Sequence, residues 1–185
     1  MARGIGALGR AVARLDQELF DRIARRPSLV LDLALPRLTR AADHGVLWMA
    51  GAGGLALAGG PRGRRAARTG LVAVAITSAL ANQLGKRSFG RRRPLLDEVP
   101  LGRRAHHVPT SASFPSGHAA SAAAFATAVS VTVPAATVPV GVLATGVAYS
   151  RVYTGVHYPG DVVAGVLLGA SLGLLLGRRA RRSGR

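Results

Sequence analysis

Apolar residues along this chain gather in runs long enough to cross a bilayer, and polar, arginine-rich segments separate them. The runs cover about residues 44–60, 69–85, 119–149 and 161–177. A helix of about 20 apolar residues crosses the ~30 Å hydrocarbon core. The third run is long for one crossing and contains Pro134 and Pro139, which favour a hairpin. The pattern therefore predicts an all-α, polytopic transmembrane bundle of about five spans.

The first 42 residues follow a different pattern. Within residues 11–26, Leu15, Leu19 and Ile23 recur every four positions, which predicts an amphipathic helix. Such a helix either packs on the bundle or lies in the lipid interface with its arginines near anionic head groups, and we favour the interface. The predicted organisation has three parts: an interfacial segment (1–42), a transmembrane domain (43–177) and a basic tail (178–185).

Short connections are predicted between these elements. Residues 28–35 are expected to form a short helix that stops near Pro36, since proline interrupts helical hydrogen bonding. Asp43 is a plausible cap for the first span. Residues 61–68 carry four arginines and predict a basic turn before the second span.

The charge balance narrows the class of partner. The chain has 25 Lys and Arg against 8 Asp and Glu, a net charge of +17, and 49% hydrophobic residues. Nucleic-acid binding would bring aromatic stacking platforms or a known motif, and with one Trp, three Tyr and four Phe neither is found. Basic loops between apolar runs are typical of a membrane protein, so membrane lipids are the expected partner and nucleic acid is not.

The polar segment 86–115 holds the first candidate site residues. Lys86 follows the carboxyl end of a predicted helix, where a cation is favourable, and Pro94 holds Arg93 in an extended backbone. The other arginines of this segment are interpreted as lipid head-group or solvent contacts. His106 and His107 are interpreted as loop residues and not as ligands.

The sequence Phe-Pro-Ser-Gly-His at residues 114–118 predicts the start of a helix. Ser116 can cap it, and Gly117 allows close backbone approach. The unpaired amides of the first turn form an anion site that the helix dipole reinforces. His118 stands at the rim of that site.

The polar stretch 150–161 separates two apolar runs and contains the third group of candidates. Asp161 follows His157 by four residues, and Pro159 and Gly160 turn the chain between them. The carboxylate can therefore accept the Nδ1 proton of the ring, which leaves Nε2 as a nucleophile or base. The planar fork of Arg151 suits a phosphoryl or carboxylate group. The predicted hairpin brings all three polar segments to one membrane face.

Together these segments resemble the three-part signature of the type 2 phosphatidic acid phosphatase (PAP2) superfamily. Its parts are Lys, six residues, Arg-Pro; then Pro-Ser-Gly-His; then Ser-Arg, five residues, His, three residues, Asp. They match residues 86–94, 115–118 and 150–161 without a gap. The resemblance covers about residues 69–177 and implies an integral membrane protein, expected in a bacterial plasma membrane.

The resemblance also implies roles. His157 would attack phosphorus and form a phosphohistidine, Asp161 would orient it, and His118 would protonate the leaving alcohol and later activate water. Lys86, Arg93, Arg151 and the Ser116-Gly117 region would hold the phosphate. No metal and no cofactor are implied. The expected substrate is a lipid phosphate: phosphatidic acid, phosphatidylglycerol phosphate, or a polyprenyl phosphate or diphosphate.

Three questions stay open at this point. A non-catalytic scaffold that binds anionic lipid is the alternative function, although it would need neither His157 nor Asp161. Vanadium-dependent haloperoxidases share the signature, but they are soluble and much larger. The arginine distribution favours a cytoplasmic site by the positive-inside rule, whereas the resemblance implies an extracytoplasmic one in many bacterial members.

Overall fold

The chain folds into packed helices. The computed structural model describes residues 2–85, 90–105 and 110–183, and within these ranges it contains helices and no strand. This confirms the all-α prediction. The seven α-helices of the described ranges are α1 (Ala2–Ala24), α2 (Leu29–Ala41), α3 (Val46–Ala58), α4 (Gly60–Leu80), α5 (Gly117–Thr132), α6 (Thr137–Tyr153) and α7 (Pro159–Arg182).

Helices α5 and α7 form the centre of the bundle through a row of glycines. Gly165, Gly169, Gly173 and Gly177 recur every four residues on α7 and are all buried. A Cβ at Gly169 would lie 2.9 Å from the backbone nitrogen of Ala124 on α5, closer than real Cβ atoms come. Small residues at this spacing let two helix backbones touch. The glycine row therefore sets the distance between α5 and α7.

A second core joins α3, α4, α5 and α6. Its largest members are Trp48 and Phe125, whose ring centroids are 5.3 Å apart. Gly70 of α4 faces the Phe125 ring so closely that a Cβ there would lie 2.9 Å from it. Val129 and Val147 complete the contact between α5 and α6. This core holds α3 and α4 against the central pair.

The predicted hairpin is present. Helix α5 ends at Thr132, a 3₁₀ turn covers Pro134–Ala136, and α6 returns in the opposite direction. Proline fits this turn because it lacks the N–H that a continuing helix would need. The turn brings His118 and Arg151 to the same end of the bundle, as the sequence indicated.

Two predicted connections are wrong. Pro36 does not stop α2, which continues to Ala41 with the proline inside it. Residues 61–68 do not form a turn, since α4 already begins at Gly60. Pro61 lies in the first turn of that helix, where a missing N–H costs nothing. The chain instead reverses at Gly59 and Gly60, and Gly60 has a φ of +55° that favours glycine.

The N-terminal helix uses two faces. Asp16, Phe20 and Ala24 are buried against the bundle, where α1 packs on α6 and α7. Leu15 and Leu19 point outward and are 56% and 38% exposed. These outward leucines are the ones that an interfacial helix would bury in lipid, so the interfacial position stays a prediction.

Two helical stretches of the described residues are long and apolar enough to cross a membrane. They are Pro134–Tyr153 and Pro159–Arg182. The second extends beyond the predicted end of the last span at Gly177, and the first arginines of the predicted basic tail continue the helix. The total of about five spans stays a prediction.

Candidate active site

His157 and Asp161 meet at the junction of α6 and α7. Asp161 lies in the first turn of α7 and is fully buried, and His157 precedes the helix and is 3% exposed. His157 Nδ1 lies 3.6 Å from Asp161 Oδ2, which is longer than a hydrogen bond. The hydroxyl of Ser113 fills this gap: it lies 3.4 Å from Nδ1 and donates to the same Asp161 oxygen. The expected pair is therefore a cluster of three residues.

Arg93 covers the other ring nitrogen of His157. Its guanidinium donates to Nε2 at 3.2 Å and to the carbonyl oxygen of Val156 at 2.7 Å. Further bonds to the carbonyl oxygens of Ser111 and Ala112 hold the side chain in place. Because arginine can only donate, Nε2 is an acceptor and the ring proton sits on Nδ1. The lone pair of Nε2 therefore faces a cation.

Burial above all, aided by the charges of Arg151 and Arg93, lowers the pKa of His157 to about 4. The carboxylate of Asp161 opposes this shift. The imidazole is consequently neutral near pH 7, which is the form that can act as a nucleophile.

His118 has a carboxylate partner that the sequence analysis did not assign to it. Its Nε2 lies 2.8 Å from Asp43 Oδ1. The prediction that Asp43 caps the first span is wrong, because Asp43 lies in a 3₁₀ turn and Gly45 precedes α3. The turn directs the Asp43 carboxylate toward α5 instead. Two histidines at this site thus each have a nearby aspartate.

The start of α5 is built as the sequence predicted. Ser116 is the N-cap, and its hydroxyl accepts from the amide of Ala119 at 3.4 Å. Its own amide donates to the carbonyl oxygen of Asp161 at 3.0 Å, which ties the first turn of α5 to that of α7. Ser116 is fully buried, whereas Gly117 and His118 line an adjacent cavity.

Arg151 is a buried cation with a free donor. It is 2% exposed, and one of its terminal nitrogens donates to the Thr39 hydroxyl. Its Nε has no hydrogen-bond partner among the described residues. A buried donor without a partner is costly, so it is a natural contact for an anion.

A cavity of about 440 Å³ joins these groups. Five of the sequence-predicted residues line it: Arg93, Gly117, His118, Arg151 and His157. Apolar residues that line the same cavity include Trp48 of α3 and Val74 of α4, beside the polar His44, Ser78 and Asn82. Lys86, the remaining predicted cation, lies outside the described residues, as do His106 and His107.

Arg91 was interpreted as a lipid or solvent contact, and this is wrong. Its guanidinium donates to Asp161 at 2.8 Å and to Asp16 at 2.5 Å, and it lies 4.3 Å above the Tyr158 ring. Arg103, interpreted in the same way, is 4% exposed and pairs with Asp32. These arginines bind carboxylates because the fold brings distant acidic residues beside them.

The sequence analysis missed Ser113, Arg91, Asp16 and Asp43. A signal for the two aspartates did exist: acidic residues are scarce, with 8 in 185 against 25 Lys and Arg, so each carboxylate has several potential cationic partners. Ser113 carried no signal beyond its position three residues before Ser116.

Comparison with known proteins agrees with this geometry. The family model of the PAP2 superfamily matches residues 67–185. The chain belongs to the PAP2 superfamily. The match includes α5 to α7 and the polar segments 86–115 and 150–161.

Named relatives of this PAP2 chain are phosphatases. It is 36% identical over 142 residues to decaprenylphosphoryl-5-phosphoribose phosphatase of Mycobacterium tuberculosis, covering 75% of each chain. It is 37% identical over 107 residues to lipid A 1-phosphatase of Rhizobium johnstonii, covering 55% of this chain and 43% of that relative. The PAP2 chain thus spans less than half of the second relative.

The fold has been seen in a crystal. The structure of Aquifex aeolicus LpxE superposes with a TM-score of 0.69 at 26% identity, covering 89% of this chain and 95% of that one. The PAP2 chain therefore shares its fold, over 89% of its length, with a solved relative.

Proposed function

We propose that this PAP2 chain is a membrane-embedded phosphatase that hydrolyses a lipid phosphomonoester or diphosphate through a phosphohistidine on His157. The observation that carries the proposal is the shared cavity. There, the neutral Nε2 of His157 contacts Arg93 and faces the same space as the buried, incompletely paired Arg151. Cations placed around a neutral nucleophile favour a phosphoryl group over other substrates.

The proposed first step is attack of His157 Nε2 on phosphorus. The bond from phosphorus to the lipid oxygen breaks, and His118 gives the leaving oxygen a proton. The imidazole becomes cationic, and the Asp161 carboxylate with the Ser113 hydroxyl stabilises that charge on the Nδ1 side. Arg93 exchanges its contact with Nε2 for the phosphoryl oxygens, and Arg151 adds a second cation.

The proposed second step reverses the roles. His118 takes a proton from water, the water attacks phosphorus, and the phosphorus to nitrogen bond breaks to release inorganic phosphate and neutral His157. The contact of Asp43 with His118 supports this role, because an adjacent carboxylate stabilises the imidazolium that forms.

The expected substrate has an apolar tail. Trp48 and Val74 add apolar surface to the cavity that holds the cations, which suits a lipid more than a sugar phosphate. Phosphatidic acid, phosphatidylglycerol phosphate and polyprenyl phosphates or diphosphates all fit this chemistry. The decaprenyl substrate named for the mycobacterial relative adds weight to the polyprenyl class.

The test is phosphate release by purified, detergent-solubilised protein from a panel of these lipids, with EDTA present throughout. We expect release to survive chelation, since Arg93 and Arg151 carry the positive charge that a metal supplies elsewhere. With ³²P-labelled lipid and an alkaline quench, which preserves phosphohistidine, the label should appear on His157.

His157→Ala should lose both turnover and label. His118→Ala should lose about 10²- to 10⁴-fold in rate, the usual worth of a general acid. Asp97→Asn is the control, because Asp97 is an exposed carboxylate in the polar segment 86–115. This variant should behave as wild type. If the wild-type protein binds these lipids without hydrolysing them, the phosphatase proposal is wrong and the non-catalytic scaffold is supported instead.

A further inference from the structure

The N-terminal helix reaches the proposed nucleophile through charged residues that lie outside the three-part signature. Asp16 is 7% exposed on α1, and its Oδ2 accepts from Arg91 at 2.5 Å. Arg91 in turn donates to Asp161 Oδ1 at 2.8 Å. The other oxygen, Asp161 Oδ2, accepts from the Ser113 hydroxyl and is the one that faces His157 Nδ1. A continuous line of polar contacts therefore joins α1 to His157.

Asp16 also holds the turn that carries Asp161. Its Oδ1 accepts from the amide of Gly160 at 2.7 Å. A Cβ at Gly160 would lie 2.9 Å from Asp16 Oδ2, so the glycine provides the room for this carboxylate. Phe20, one helical turn further along α1, packs edge-on against Tyr158, with 5.6 Å between the ring centroids. Helix α1 thus contacts two of the three residues between His157 and Asp161, namely Tyr158 and Gly160.

The charges along this line alternate. Arg91 beside Asp161 would by itself cancel the negative charge that stabilises a phosphorylated, cationic His157. Asp16 on the far side of Arg91 restores a net charge of −1 to the group of three. A neutral residue at position 16 would leave a net charge of zero beside the nucleophile.

We propose that Asp16 is a positioning residue for the reaction: acting through Arg91, it keeps the Asp161 carboxylate oriented toward His157 and electrostatically able to stabilise the phosphohistidine. The proposal rests on the proposed function. It makes α1 part of the catalytic apparatus, although none of the α1 side chains that the structure describes lines the cavity.

The first test measures the rate constant of phosphoenzyme formation and KM separately. Asp16→Asn should slow phosphoenzyme formation by about 10-fold, the lower end of the effect of outer-shell partners at metal sites, and leave KM unchanged. The double variant Asp16→Asn, Arg91→Gln restores the net charge of −1 but removes the residue that orients Asp161, so it should recover the electrostatic part of that loss and not the whole of it. A wild-type rate in Asp16→Asn, or a double variant no faster than Asp16→Asn, would overturn the proposal.

Two controls separate charge from packing. Asp21→Asn changes a half-buried carboxylate of the same helix, which accepts a hydrogen bond from Gln17 and takes no part in the contacts of Arg91 or Asp161, and it should keep the wild-type rate. Phe20→Leu loosens the packing of α1 and leaves every charge in place. If Phe20→Leu slows phosphoenzyme formation as much as Asp16→Asn does, helix packing explains the effect and the proposal fails.

A measurement made without substrate tests the role of Asp16 separately from the proposed phosphatase activity. Diethyl pyrocarbonate modifies neutral imidazole, and mass spectrometry of the His157 peptide gives its rate in the absence of substrate. Asp16→Asn should lower that rate, because Nε2 becomes less nucleophilic, and an unchanged rate would contradict the proposal. Absence of hydrolysis in the wild type would refute the phosphatase, whereas this measurement would still test the link from Asp16 to His157.

Discussion

Replacing Gly169 by alanine should separate two helices and thereby disable a site more than one helical turn away. The added Cβ would lie 2.8 Å from the carbonyl carbon of Ala120 and 2.9 Å from the nitrogen of Ala124, and nearer still to the Ala120 oxygen. All three atoms are backbone, so no side chain can rotate to make room. Helices α5 and α7 must instead move apart by roughly 1 Å to restore ordinary contact.

Two consequences follow from that separation. Overpacking of this kind costs about 1–3 kcal/mol of stability. His118 lies near the start of α5 and Asp161 near the start of α7, so the same movement shifts two groups of the proposed mechanism. A misplacement of about 1 Å can reduce a rate about 10²-fold. We therefore expect a large loss of activity together with a lower unfolding temperature.

The assay is lipid phosphate hydrolysis beside thermal unfolding, both in the same detergent. Gly141→Ala is the matched control, since a Cβ at that position of α6 meets nothing within 4 Å. It should keep full activity and equal or slightly higher stability, as a glycine in a helix interior weakens it. If Gly169→Ala kept both wild-type activity and wild-type stability, the inferred close contact between α5 and α7 would be refuted.

Two further predictions concern the histidines. Because the pKa of His157 is lowered to about 4, the ring stays neutral well below its ordinary titration range, and diethyl pyrocarbonate should modify it at the same rate at pH 5.5 as at pH 7. A midpoint near pH 6.5 would contradict the buried, cation-flanked environment. Asp43→Asn should slow turnover by about 10-fold, because it weakens the support of His118. His157 should still be the residue that carries the label. Asp97→Asn again serves as its control, and an unchanged turnover rate in Asp43→Asn would show that the contact with His118 has no catalytic role.

The linear pattern predicted the helical class and the hairpin because both depend on local properties. Apolar runs of sufficient length favour helices, and Pro134 interrupts one of them wherever the rest of the chain lies. The same reasoning failed at Pro36 and at residues 61–68. In α2 the neighbouring helices stabilise the segment that contains the proline, and in α4 tertiary contacts extend a helix through arginines that resemble a loop in sequence.

The signature residues could likewise be found before the fold was known. Their spacing along the chain, together with the hairpin, was enough to expect His118, Arg151 and His157 in one place. Ser113 could not be assigned in the same way. Its hydroxyl lies between His157 and Asp161 only because the polar segment crosses the junction of α6 and α7.

The order of residues alone therefore identified the family, the all-α class and the residues proposed to bind phosphate, since these depend on composition, periodicity and short fixed spacings. Only the packed chain revealed that Asp16 and Arg91 support Asp161 and that Asp43 pairs with His118. Each of these contacts joins residues 70 to 75 positions apart. Linear spacing does not encode such pairs, because they depend on how closely the glycines of α7 let the helices approach and on which face of α1 turns inward.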